Sequence, residues 1–224
     1  MEALVRWNHP ELGKIPPRKF IPIAEDTGLI VPLGEWILRT SCKQAVKWQK
    51  QSASPLKLCV NLSVVQFYQD DFIDVMEEIL KETGIEPSLL ELEITESVFT
   101  NVANAKEIMK RIRALGVRTS IDDFGTGYSS LSYIKELPVD TLKIDASFVK
   151  DLHENKESQA IVRAIMSIAQ TLQLDVIAEG IEIDAQMKVL NDDGCDKGQG
   201  FLFSKPLSQK EFESFLQKRK IIHN

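Results

Sequence analysis

The strongest constraint on the fold is a regular alternation of short β-rich runs with longer amphipathic stretches. The β-rich runs, which contain many Val, Ile and Leu residues, occupy residues 3–7, 57–62, 89–95, 117–122, 141–145, 175–179 and 198–203. Apolar residues recur every three or four positions between them, which is typical of helices with one buried face. The helical stretches are residues 34–51, 71–83, 104–115, 158–172 and the segment that follows Ser208. Strands that alternate with helices predict a parallel sheet with helical crossovers.

The helical stretches carry their own boundary signals. Gly84 and Gly116 directly follow two of them, as helix-terminating glycines do. Ser208, with Glu211 three residues later, is a capping-box pattern that begins the last helix. The apolar residues at helical spacing are Trp36, Ile37, Ala45 and Trp48 in one stretch, and Ile161, Ile165 and Ile168 in another.

Seven predicted strands in 224 residues suit one α/β domain that covers residues 1–224. A closed (β/α)8 barrel needs about 250 residues and eight strands, so the chain is roughly one unit short of it. An open doubly wound sheet remains an alternative from the topology alone. Residues 1–224 contain no repeat, low-complexity run or linker that would divide the domain.

Charge and cysteine content narrow the function classes. A formal net charge of -6 argues against a polymeric nucleic acid as partner. The apolar runs are short and broken by charges, so no membrane span is expected, and Glu2 and Arg6 interrupt any signal-peptide core. Three scattered cysteines indicate a reducing cytoplasm.

Polar residues stand near the carboxyl ends of most predicted strands. They are Asn61, Glu93, Glu96, Asp122, Asp123, Lys143, Asp145, Glu179 and, opening the last strand region, Gln199. One such residue is usually a turn former or a helix cap. A barrel collects its strand ends at a single mouth, where these folds place active sites. Carboxylates crowded there repel one another unless a cation neutralises them, so the pattern predicts a metal site.

The expected metal follows from the ligand type. The candidate ligands are carboxylates and one amide oxygen, which favour Mg²⁺ or Mn²⁺ over zinc. The adjacent pair Asp122 and Asp123 indicates two ions that share a ligand, an arrangement suited to attack on phosphodiesters. Gly125 and Gly127 follow this pair in a loop that lacks the P-loop ending, and we interpret it as a functional loop.

These motifs together resemble the EAL-domain cyclic di-GMP phosphodiesterases. The resemblance runs from Glu2 to about Leu207. It rests on Glu2-Ala3-Leu4, Asn61-Leu62-Ser63, and residues 91–97, 122–130, 142–145, 178–182 and 199–206. It implies a modified TIM barrel that hydrolyses cyclic di-GMP to linear pGpG. The family carries a strand before the Glu-Ala-Leu strand. That opening strand has no counterpart here, so we expect an N-terminally truncated domain with an unpaired edge.

The resemblance also implies residue roles. Metal ligands would be Glu2, Asn61, Glu93, Asp122, Asp123 and Glu179. Catalytic roles fall on Lys143, Glu179 and Glu2, with Lys143 at the water or scissile phosphate and Glu179 as candidate general base. Substrate contacts would be Arg6, Asp145, Gln199 and Pro206. Glu96 would anchor the loop after Asp123.

Three functions follow from these expectations. The first is an active phosphodiesterase with two Mg²⁺ or Mn²⁺ ions in the bacterial cytoplasm, acting as a homodimer, with any sensor domain outside this chain. The second is a cyclic di-GMP receptor that has lost turnover. The third is an interaction scaffold, which would leave the acidic residues without a purpose.

Overall fold

The computed structural model describes residues 1–52, 54–126 and 134–222, with side chains as far as residue 217. Its strands are β1 (Glu2–Ala3), β2 (Trp7–His9), β3 (Gly13–Ile15), β4 (Leu58–Asn61), β5 (Leu90–Thr95), β6 (Arg118–Phe124), β7 (Thr141–Ile144) and β8 (Asp175–Ala178). Its α-helices are α1 (Pro17–Asp26), α2 (Ile30–Gln49), α3 (Val64–Phe67), α4 (Phe72–Thr83), α5 (Val102–Ala114), α6 (Ala146–Val149), α7 (Lys156–Leu172), α8 (Asp184–Asp192) and α9 (Gln209–Ile222). None of these helices is long and apolar enough to cross a membrane.

The described chain forms two compact units. The first contains Met1–Glu93, Arg111–Arg118 and Lys210–Asn224, and the second contains Ile94–Lys110 and Thr119–Gln209.

In the first unit, strands β1, β4 and β5 pair in parallel. Glu2 aligns with Cys59 on β4, and Asn61 at the end of β4 aligns with Glu93 on β5. Strands β2 and β3 form a separate antiparallel hairpin, with Trp7 opposite Ile15. This register places the polar ends of β4 and β5 side by side.

Helix α4 shows how sequence periodicity builds the core of the first unit. Its buried residues Phe72, Ile73, Met76 and Ile79 recur at helical spacing. Fully burying an apolar side chain of this size contributes about 1.5–3 kcal/mol. The helix ends at Gly84, whose φ of 66° is in the left-handed region that glycine adopts without steric cost.

In the second unit, strands β6, β7 and β8 pair in parallel. Leu142 on β7 aligns with Ile121 on β6 and with Val176 on β8, and both Ile121 and Leu142 are fully buried. Helix α7 begins at Asn155, whose side chain accepts hydrogen bonds from the backbone N–H groups of Glu157 and Ser158. Such a cap satisfies N–H groups that have no partner within the helix.

The predicted α/β architecture is confirmed, and five predicted strands agree with β4 to β8 to within one or two residues. The strand predicted at 198–203 is wrong. Gly198 makes only an isolated bridge to Ala178, and the chain then turns. A Cβ at Gly200 would lie 2.1 Å from the carbonyl oxygen of Ile181, so this backbone packs too closely for a regular strand.

The strand predicted at 3–7 is also wrong in part. The chain leaves β1 after Ala3 and starts the hairpin at Trp7. Two predicted helix faces are confirmed in part, since Ala45 and Ile165 are buried. Trp36 is 59% exposed and Ile161 is 39% exposed, whereas Leu38 and Val162 face the core. The buried stripe includes Leu38, Cys42 and Ala45 in α2, and Val162, Ile165 and Ala169 in α7, so Trp36 and Ile161 lie outside it.

Candidate functional site

The first unit brings three predicted ligands together on neighbouring strands. Glu2 on β1 accepts a hydrogen bond from Nδ2 of Asn61, with 2.7 Å between Asn61 Nδ2 and Glu2 Oε1. Asn61 is the register partner of Glu93, so both side chains leave the same face of the sheet. Glu93 is only 3% exposed. This group therefore presents two carboxylates and one amide at the carboxyl ends of its strands.

Sequence reasoning missed Glu25, which supports this group through Ser63. The Ser63 hydroxyl donates to Glu25 Oε1 at 2.6 Å and also accepts from the backbone N–H of Val65. Ser63 thus caps α3 and ties the segment after Asn61 to helix α1. Ser63 was part of the recognised motif, but Glu25 lies on an amphipathic helix with no spacing that singles it out.

The second unit centres on the buried cation of Lys143. Its side chain is 2% exposed, and its Nζ lies 2.6 Å from Glu179 Oε1 and 3.2 Å from Asp122 Oδ1. The three residues lie at the carboxyl ends of adjacent strands β7, β8 and β6. Burying a lysine is costly unless opposite charges compensate for its lost hydration, and here two carboxylates do so.

A bulge in β6 explains how both aspartates reach this point. Ile121 aligns with Leu142 and Phe124 with Ile144, so two residues of β6, Asp122 and Asp123, stand opposite the single residue Lys143. Such bulges redirect side chains next to active sites. Asp123 has a φ of 54°, a left-handed conformation that is uncommon for residues other than glycine.

Two carboxyls in the second unit, those of Asp123 and Asp145, differ in acidity. Burial raises the pKa of Asp123 to about 6, and repulsion from Asp122 and Asp145 adds to that effect. Burial also opposes ionisation of Asp145, but hydrogen bonds from Ser147 leave its pKa below the usual value. Asp145 caps α6, where it accepts from the backbone N–H and the hydroxyl of Ser147. The carboxyl that is harder to ionise is thus the one predicted to bind metal.

Glu96 makes the contact expected of a loop anchor. Its Oε1 accepts a hydrogen bond from the backbone N–H of Gly125 at 3.0 Å. Gly125, with a φ of 96°, starts the loop after Asp123. Gly127 and the rest of that loop to residue 133 lie outside the described residues, so the prediction of a functional loop stays a prediction.

The three remaining candidates, Arg6, Gln199 and Pro206, are exposed. The guanidinium of Arg6 donates to the carbonyl of its neighbour Val5 at 2.9 Å. Gln199 is held through its backbone N–H, which donates to Ala178 at 2.8 Å. Pro206 is exposed in the segment before α9. Their roles as substrate contacts stay predictions.

The donor chemistry of both groups fits a hard divalent cation. The donors are carboxylate oxygens and one amide, the ligands that Mg²⁺ and Mn²⁺ prefer. Asp122 Oδ1 is buried and, among the described residues, accepts no hydrogen bond, although the Lys143 ammonium lies 3.2 Å away. A cation at this point would add the charge compensation that a buried carboxylate needs. Within the described residues, no group of three His, Cys, Asp or Glu side chains is preorganised around one point.

The chain is similar in sequence to two proteins that are named as cyclic di-GMP phosphodiesterases. It is 44% identical over 212 residues to the bifunctional diguanylate cyclase/cyclic di-GMP phosphodiesterase MucR of Pseudomonas aeruginosa, which covers 94% of this chain and 31% of MucR. It is 41% identical over 219 residues to the cyclic di-GMP phosphodiesterase PdeR of Escherichia coli, covering 97% of this chain and 33% of PdeR. The chain thus spans about a third of the length of these relatives.

A solved structure of the MucR phosphodiesterase in complex with c-di-GMP matches the fold. The TM-score is 0.90 at 42% identity, covering 94% of this chain and 86% of that one. This likeness confirms the predicted barrel-type α/β fold class, to which the described residues contribute six parallel strands. The EAL domain model matches residues 1–206, and the chain belongs to the EAL domain family.

Proposed function

We propose that this chain hydrolyses cyclic di-GMP to linear pGpG with two divalent metal ions. The observation that carries the proposal is the buried Lys143 between Asp122 and Glu179, at the ends of three adjacent strands. Lysine is almost never fully buried unless it is paired, and this one is 2% exposed with two carboxylates as partners at the ends of its neighbouring strands. The activity named for MucR and PdeR, of which this chain covers about a third, supports the same reaction.

The metal ligands in this proposal are Glu2, Asn61, Glu93, Asp122, Asp123 and Glu179. When bound, two Mg²⁺ or Mn²⁺ ions supply an activated water and neutralise charge on the phosphate.

The chain's own residues then have distinct tasks. Lys143 places a desolvated positive charge where the phosphate gains negative charge, and one such electrostatic contact is worth about 3 kcal/mol in a transition state. Glu179, 2.6 Å from the Lys143 ammonium, holds the acceptor oxygen that takes the proton of the water. Glu2 and Asn61 orient each other through their hydrogen bond.

Substrate binding and assembly are further parts of the proposal. Arg6 is suited to a phosphate oxygen because its guanidinium is a planar multiple donor. Asp145, Gln199 and Pro206 would contact the remainder of the dinucleotide. We place the reaction in the bacterial cytoplasm, in a homodimer.

The test incubates the purified chain with cyclic di-GMP and Mn²⁺ or Mg²⁺ and follows pGpG by chromatography. We expect product that depends on metal and disappears with EDTA and in Glu2→Ala, while the exposed-site control Glu11→Ala keeps full activity. Binding of cyclic di-GMP without product would instead support a receptor. Absence of both substrate binding and Mn²⁺ binding would leave only a scaffold role.

A further inference from the structure

The side chain of Gln186 is buried and joins two segments of the second unit. It is 3% exposed, although it lies in the first turn of helix α8. Its Oε1 accepts hydrogen bonds from the backbone N–H groups of Glu182, at 2.7 Å, and Ile183, at 3.0 Å. Its Nε2 donates to the carbonyl oxygen of Lys150 at 2.9 Å.

Both segments follow strands that carry site residues. Glu182 and Ile183 end the loop that begins at Glu179, directly after β8. Lys150 ends helix α6, which starts directly after Asp145 and β7. The three hydrogen bonds also satisfy backbone groups at the start of α8 and at the end of α6, which have no partners within those helices.

Glu179 stands at the end of the β8 ladder, and the residues after it are held from more than one side. The last register pair of β7 and β8 is Ile144 with Ala178, and the next bond runs from the N–H of Glu179 to the carbonyl of Ile144 at 3.1 Å. Gly180 then turns with a φ of 71°, so close to Ala146 that a Cβ would lie 2.6 Å from the Ala146 Cβ. Glu179 is therefore fixed by the ladder before it. After it, the Ile181 N–H donates to the carbonyl of Gln199 at 3.1 Å, and the Gln186 bonds hold Glu182 and Ile183.

From this arrangement we propose that Gln186 is a positioning residue for Glu179, setting its distance from Lys143. The inference rests on the phosphodiesterase function proposed above. Gln186 touches neither Lys143 nor the substrate in this scheme. It acts by fixing the backbone that bears Glu179 to the helix after β7. A shift of about 1 Å in a reacting group can lower a rate by about 100-fold, so this link matters for turnover.

Two substitutions of Gln186 can separate the bonds that its Oε1 accepts from the bond that its Nε2 donates. A glutamate at this position could still accept from Glu182 and Ile183, and its charge suits a helix N-terminus. It could not donate to Lys150, and it would set a carboxylate oxygen against that carbonyl. Gln186→Glu therefore loses only the tie to α6, whereas Gln186→Leu loses all three hydrogen bonds.

A matched control exists on helix α7. Gln159 Nε2 donates to the carbonyl of Leu152 at 2.9 Å, a bond of the same type in the same unit. Its partner segment does not lead to Glu179. Gln159→Leu therefore reports what the loss of a part-buried glutamine bond does to stability alone.

The experiment measures kcat and KM for cyclic di-GMP at saturating Mn²⁺, well below the lowest Tm, with hydrogen exchange of residues 179–183. We expect kcat to fall about 10- to 100-fold in Gln186→Leu and less in Gln186→Glu, with KM unchanged and faster exchange. Gln159→Leu should keep the wild-type kcat.

Two results would overturn the inference, and they differ. If the wild type turns over and both Gln186 variants keep the control's kcat, the positioning role is wrong while the function stands. If the wild type makes no pGpG, the proposed function fails and the role falls with it. Should Gln186→Leu not fold, Gln186→Glu decides alone.

Discussion

The two groups of predicted site residues differ in burial and in the interaction that holds them together. In the first unit, a half-buried Glu2 and an exposed Asn61 are joined by one hydrogen bond. In the second unit, Lys143 is 2% exposed and is held between two carboxylates whose side chains are 16% and 18% exposed. Exposed polar contacts contribute little to stability, whereas a buried charge that loses its partner is strongly destabilising.

This difference indicates a division of labour. The second group is part of the core, and its geometry is set by strand register, a bulge and close backbone packing. In the first group, Glu2 and Asn61 are exposed enough to adjust when a ligand arrives, whereas Glu93 is buried. Substitutions should therefore affect folding at Lys143 and ligand binding at Glu2.

The largest expected effect is on Lys143. Lys143→Met leaves Asp122 and Glu179 without their buried cation, so we expect a loss of about 3–5 kcal/mol in the free energy of unfolding without divalent metal. Urea unfolding measures it. The control is Lys197→Met, whose ion pair with Asp175 is 2.7 Å long but exposed; it should cost less than about 1 kcal/mol. Equal losses in the two variants would contradict the comparison.

A smaller effect is expected from paired glycine substitutions. Gly84 and Gly180 both have φ near 70°, but a Cβ meets nothing within 4 Å at Gly84 and lies 2.6 Å from Ala146 Cβ at Gly180. Gly84→Ala should cost about 1–2 kcal/mol from the backbone conformation alone. Gly180→Ala should cost about 1–3 kcal/mol more, because a packed contact must shift. Thermal unfolding compares them, and identical losses would show that the loop after β8 yields freely.

The smallest effect on stability is expected at Glu2. Glu2→Gln keeps the size of the side chain, and its partly exposed position limits the change in unfolding free energy to about 0.5 kcal/mol. Removing the charge should nevertheless weaken Mn²⁺ binding at least about tenfold. Calorimetric titration with Mn²⁺ measures this, with Glu11→Gln as control. A large stability loss with unchanged Mn²⁺ affinity would reverse the roles assigned to the two groups.

The sequence predicts the strands that carry the site because their pattern is strong. Leu58–Asn61, Leu90–Thr95 and Thr141–Ile144 are apolar runs bounded by polar residues, and burial follows directly from that pattern. The turn at 198–203 could not be read in this way, because it depends on backbone contacts such as that of Gly200 with Ile181, which leave no periodic trace. The strands of the hairpin at Trp7–Ile15 are only three residues long, too short for a periodic pattern, and its turn signal is Gly13 with a φ of 69°.

The sequence predicts which residues form the site, but not the residue that we propose holds them in position. The strand-end positions of Asp122, Lys143 and Glu179 are visible in the sequence, and the structure brings these three together. Gln186 was not anticipated, because a glutamine in the first turn of a helix is usually solvated. Its only local signal is the place three residues after the N-cap Ile183, where a glutamine can reach back to free N–H groups.

The bulge at Asp123 has a consequence for how this sequence can change. A left-handed φ of 54° costs an aspartate roughly 1–2 kcal/mol that glycine would avoid. Glycine would provide no carboxylate opposite Lys143. Backbone stability and the presence of a carboxylate opposite Lys143 therefore favour different residues at this position. With aspartate, the chain gives up folding stability that glycine would keep and gains a charged group at the end of β6.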